Sequence, residues 1–310
     1  MLKQVIDAME LLDSAKVTGR DVKDLLWSRG LEDITVKTLR GEKGKTDFIR
    51  VKIPGRCGKS AKGYAPTLGV LGRLGGVGAR PEMIGLVSDA DGAITAVATA
   101  LKLADMRARG DALLGDVVIG THICPDAPTI LHKPVPFMGS PVAFADIGRE
   151  EVIPDMDAIL SVDTTKGNRI AKWKGFAITP TVKEGWLLKV SDDLLAIMEI
   201  VTGRTARVCP LTTQDITPYG NGLDHLNSIM QPCTLSDKPV VGVAITTEVT
   251  VPGCATGASH PNDIEEATRF CVEVAKAYGK GLCQFYNAEE WRLIEKKYGS
   301  LKLLQTLGRA

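Results

Sequence analysis

Gly85-Leu86-Val87-Ser88-Asp89-Ala90-Asp91-Gly92-Ala93-Ile94 decides how this chain is read. An apolar segment runs into two carboxylates and a glycine. A helix then opens, with Ile94, Val97, Leu101 and Leu103 at near-helical spacing. Carboxylates at a strand-to-helix junction point out of the carboxyl end of a sheet, where open α/β folds hold ligands. Aspartate is also a good helix cap, so Asp89 has a structural reading beside the functional one.

Working outward, Thr67 onward alternates strands and helices. Leu68–Leu71 and Ile84–Val87 are short apolar runs, and Ala93–Met106 is the helix. Val117–Gly120, Ala158–Asp163 and Pro239–Thr246 are continuous apolar strands, the kind found in sheets covered on both faces. A helix is expected at Leu2–Leu12, and capped helices after Thr18 with Asp21, after Ser191, after Asn262 with Glu265, and after Asn287 with Glu290. Ile34–Leu39 and Phe48–Ile53 alternate as half-buried strands do. The expected fold is α/β, a mostly parallel central sheet flanked by helices on both faces. No repeat or low-complexity tract marks a boundary, so residues 1–310 are expected to form a single α/β domain, with a possible insertion around 170–235.

Composition narrows the function. The 310 residues carry 38 basic and 37 acidic side chains, a net charge of +1, which leaves no nucleic-acid footprint. No apolar run approaches the length of a membrane span. Met1 to Leu12 is amphipathic, with Lys3, Asp7 and Glu10 inside it, unlike a secretion signal. Seven cysteines without a Cys-x-x-Cys pair argue against a disulfide framework or zinc ribbon. A cytoplasmic protein without nucleic-acid or membrane partners is expected, and a homo-oligomer. Gly58-Lys59-Ser60 lacks the glycine frame of a phosphate loop, because Ile53 stands where the first glycine belongs.

Polar residues recur at the strand ends. Thr121-His122-Ile123-Cys124-Pro125-Asp126 follows one, Asp163-Thr164-Thr165-Lys166 another, and Ser259-His260-Pro261 precedes a late helix. With parallel strands, Asp89, Asp126, Asp163 and His260 share one sheet edge. Three carboxylates and an imidazole suit zinc or manganese. His122 is a further candidate ligand. His132 and His225 are weaker ones, and Cys124 with His122 suggests a thiol mechanism only distantly.

That order of motifs resembles the zinc-dependent aminopeptidase and carboxypeptidase superfamily, which uses a dizinc centre on an α/β sheet. The chain also resembles a bacterial family of proteins of unknown function. The superfamily resemblance implies a zinc-exopeptidase-like fold. It matches Asp89 to the aspartate that bridges the metals, Asp126 and Asp163 to metal carboxylates, and His260 to the closing histidine. The departures are specific. The superfamily's His-x-Asp falls on Arg73-Leu74-Gly75 or on Arg80-Pro81-Glu82, and its paired glutamates fall near Cys124-Pro125-Asp126. A guanidinium cannot ligate zinc and repels it nearby.

Two functions follow as expectations. One is a divergent metal-dependent hydrolase of an amide or peptide-like small molecule. It would hold at most one zinc or other divalent ion per chain through Asp89, Asp126, Asp163, His260 and His122. Asp91 or Glu82 would be its base, and Arg73 or Arg80 would grip the carboxylate of a peptide-like substrate. The other is a metal-free ligand-binding or assembly protein on the same fold.

Overall fold

The computed structural model describes residues 1–73, 77, 86–131, 133, 137–165, 167–223, 225, 228–250 and 259–305. Four strands form the parallel centre of its main sheet: β3 (Leu68–Gly72), β4 (Val117–Ile123), β7 (Ala158–Thr164) and β11 (Val240–Thr246). Their nearly unbroken burial explains the continuous apolar runs that announced them. A hairpin, β1 (Ile34–Gly41) and β2 (Gly44–Ile53), joins antiparallel through β2 to β4. On the far side, β8 (Gly175–Ile178) and β9 (Val182–Lys183) pair antiparallel with β11, and β10 (Trp186–Leu187) pairs with β9. The order is β1-β2-β4-β3-β7-β11-β9-β10, with β8 on β11. A separate pair joins β5 (Thr129–Ile130) to β6 (Phe137–Met138).

Helices cover the two faces unequally. α1 (Leu2–Leu12), α2 (Gly19–Ser28), α3 (Asp91–Ala108), α5 (Asp192–Thr202) and α6 (Pro261–Gly279) bury their apolar stripes with Leu68, Val70, Val117, Ile119, Leu160, Val162 and Val243. The opposite residues of the same strands, Leu71, Val118, Ile159 and Ala244, pack with Met156, Ile216, Ile229 and Cys233. That second face carries α4 (Phe144–Glu151) and several single-turn helices. α7 (Ala288–Tyr298) follows late in the chain, and its N-cap Asn287 accepts from Glu289 N and Glu290 N.

The opening stretch of the sequence sits where β3 meets α3, and Gly92 is there for space. A Cβ on Gly92 would lie 2.6 Å from the Arg73 carbonyl oxygen and 2.7 Å from that of Val162. A Cβ on Gly72 would lie 2.3 Å from the Gly92 carbonyl oxygen. Strand and helix thus meet backbone to backbone, which only paired glycines allow.

Several local expectations hold. Thr18 and Asp21 form a complete capping box, and Ser191 accepts from Leu194 N ahead of α5. Gly203 ends α5 in the left-handed region, at φ 65°. Others need correction. Asp89 does not cap α3; it lies inside a single turn, Ser88–Ala90, and α3 begins at Asp91. Asn262 is not a cap either, because α6 starts at Pro261 with His260 as N-cap. Proline at the first helical position has a preset φ and no orphan N–H, so α6 starts there rather than after Asn262. Ile84 and Gly85 of the Ile84–Val87 run lie outside the described residues.

Candidate functional site

Strand parity builds the site. Leu71 lies opposite Gly120 of β4 and Ser161 of β7, and Gly72 lies opposite Val162. One residue on, Arg73 stands level with His122 and Asp163, and its N–H donates to Val162 O at 2.7 Å. All three share the parity of Leu71, Val118 and Ile159, so they emerge at the carboxyl edge on the α4 face. His122 also lies opposite Phe48 of β2, because β4 runs on through Ile123 rather than stopping at Gly120.

Arg73 occupies the centre of this row. Its guanidinium pairs with Glu151, the last residue of α4, and the two side chains are only 2% and 0% exposed. The ring of Phe144, at the start of α4, lies 5.9 Å from the guanidinium carbon. Burial pushes the Glu151 carboxyl up, against the pull of Arg73. Arg73 Nε and Glu151 Oε1 have no hydrogen-bond partner.

His122 is buried, with Nδ1 2.8 Å from Thr46 Oγ1. Desolvation, and then the positive charge of Arg73, hold its pKa down to about 3, so the ring is neutral. Asp163 is buried on the other side of Arg73. Its Oδ2 accepts from Ser228 Oγ at 2.5 Å and its Oδ1 from Thr164 N at 2.7 Å. Desolvation outweighs these bonds and raises its pKa to about 6. Tyr219 completes the cluster, stacked on Phe144 with ring centroids 4.7 Å apart and tilted against His225 at 4.2 Å.

The aspartates of the opening stretch lie on the helix side of the same edge. Thr164, of opposite parity to Asp163, donates through Oγ1 to Ser88 O at 2.5 Å and holds the turn that contains buried Asp89. Asp91 is buried and accepts from Ser259 Oγ at 2.5 Å, beside His260. His260 and Asp126 are exposed.

The expected ligand set is therefore divided between the two sides of the sheet edge. Among the described residues, no three His, Cys, Asp or Glu side chains come together in a group able to hold a metal ion. All five expected ligands, Asp89, Asp126, Asp163, His260 and His122, are described residues. The chemistry of the row works against a divalent ion at that point. The centre of the row is a fixed cation, and the nearest extra carboxylate is already paired to it. Arg80, Glu82 and His132 lie outside the described residues.

Sequence reasoning did not find Glu151, Ser228 or Tyr219. Glu151 closes the charged run Arg149-Glu150-Glu151, which reads as a solvated helix end. Its signal was the amphipathic spacing of α4, which turns Ile147 and Glu151 to the same buried side.

A family model described as a protein of unknown function, DUF1177, matches residues 37–308. The chain belongs to this family. No curated protein matches the sequence. The crystal structure of Legionella pneumophila LapA aminopeptidase is similar over 91% of this DUF1177 chain and 71% of that one, at 11% identity and a TM-score of 0.49. No helix among the described residues is long and apolar enough to cross a membrane.

Proposed function

We propose that this protein is a metal-free, small-molecule-binding member of an exopeptidase-like lineage, in which the chain's own guanidinium takes the place of a metal at the sheet edge. The observation that carries this reading is the buried Arg73–Glu151 pair, set in register between His122 and Asp163. A cation entering there would meet a permanent positive charge that cannot be deprotonated. It would also have to win Glu151 from a partner held in a water-poor setting, where breaking a buried pair costs about 3–5 kcal/mol.

The test is elemental analysis of protein purified without chelator or affinity nickel, alongside the Arg73→His variant. Substoichiometric zinc and manganese in the natural protein, with unfolding unmoved by a chelator, is the expected result. One or more tightly held ions per chain would overturn it.

A second reading, hydrolysis of an amide or peptide-like compound, is favoured by Asp163. A buried carboxyl with a raised pKa at the carboxyl edge of a sheet is the kind of group that exchanges protons in catalysis. It predicts hydrolysis of short peptide or acyl-amide substrates that Asp163→Asn abolishes.

A further inference from the structure

Beyond the buried row, the carboxyl end of β7 opens into a cavity of about 390 Å³. That is near the small end of ligand pockets, which run about 300–1,000 Å³. We propose that this cavity binds a small organic anion, a carboxylate head on a short apolar body. The proposal deepens the ligand-binding reading above and names its site.

The lining divides by chemistry. One wall offers hydrogen-bond donors. Thr165 Oγ1 is buried without a partner, one step beyond the end of β7. Asn168 Oδ1 already accepts from Ile170 N at 2.8 Å and Ala171 N at 2.9 Å, which leaves the donor end of the amide for a ligand. Arg169 is exposed, and no ion pair among the described residues engages it. Asp215, the carboxylate on the lining, is 1% exposed, and its Oδ2 is taken up by Thr212 N and Thr212 Oγ1, both at 2.8 Å. The free polar groups can thus all donate, and one of them is cationic, which is the complement of a carboxylate.

The other wall is apolar. Ile170, 60% exposed, faces the cavity with Ala171, Pro210 and Cys209. Burial pushes the Cys209 thiol up to about 11, so it stays protonated and behaves as a small hydrophobe. The position agrees with the general rule that open α/β sheets take ligands beyond the carboxyl ends of their strands.

The test titrates the full-length protein with isocaproate, following the methyl NMR signals of Ile170 and Thr165. Isocaproamide serves as the uncharged isostere. Saturable shifts with isocaproate are expected, with Arg169→Ala weakening binding about tenfold, Thr165→Val weakening it several-fold, and Thr165→Ser retaining it. Arg169 is exposed, so its loss leaves the fold intact. Equal binding of the amide, an unchanged affinity in Arg169→Ala, or no saturable shift at millimolar isocaproate would each overturn the proposal. Metal content plays no part in this readout, so the two readings fail separately.

Discussion

His122 and Asp163 flank one guanidinium, and their proton affinities are displaced in opposite directions. Desolvation lowers His122 from 6.5 to about 3 and raises Asp163 from 3.8 to about 6. At about pH 5 the unfolded chain therefore carries a proton on the histidine and none on the aspartate, and the folded chain carries the reverse. The stability tied to Asp163 is complete below its unfolded pKa and is lost as pH rises through about 6. The stability tied to His122 is complete above its unfolded pKa and is lost as pH falls through about 3. Each contributes a slope of about 1.4 kcal/mol per pH unit between about pH 4.5 and 5.5, with opposite sign, so the pair cancels in the natural protein. Asp163→Asn removes the falling slope, and His122→Gln removes the rising one. Measured by urea unfolding across that window, Asp163→Asn should gain about 1.4 kcal/mol per pH unit relative to the natural protein, and His122→Gln should lose as much. Glu151, also raised by burial, is common to all three proteins and drops out of the differences. Variant profiles parallel to that of the natural protein would refute the reasoning.

Glu151→Gln should cost about 3 kcal/mol in urea unfolding, the low end for a broken buried pair, because Asp163 still faces Arg73. Joint replacement by Arg73→Met and Glu151→Leu should recover most of that loss, and failure to do so would show that the charges themselves are needed. Gly72→Ala should cost about 3 kcal/mol, since its methyl meets the Gly92 carbonyl oxygen at 2.3 Å and backbone cannot step aside. Gly69→Ala meets the flexible Met156 Sδ at 2.6 Å and should cost clearly less; equal midpoints for the two would argue against the close β3–α3 contact.

The parallel centre of the sheet was legible because Val117–Ile119, Ala158–Val162 and Val240–Ile245 are apolar at every step or nearly so, as doubly covered strands must be. Caps made by one side chain on its own helix, at Thr18, Ser191 and Asn287, were legible for the same local reason. The site was not. Its central pair joins residues 73 and 151, and no local pattern links a strand end to a charged helix tail 78 residues away. Parity held more information than was taken from it. Leu71, Val118 and Ile159 share a face, so Arg73, His122 and Asp163 had to follow them, whereas the turn at Ser88 is held by Thr164, one position out of phase.

The two ends of the strand order bear on how copies of this protein can meet. β1 closes one end, and Thr35, Lys37, Thr38 and Arg40 are exposed along it, with Lys37 already bound to Glu150. The other end is β10, only two residues long. A charged border and a truncated one give a neighbouring chain little backbone to zip onto, which protects such sheets from runaway fibrillar stacking. Self-association would then have to use side chains on helical or loop surfaces, a reversible and salt-sensitive kind of contact rather than a continuous ladder of amides.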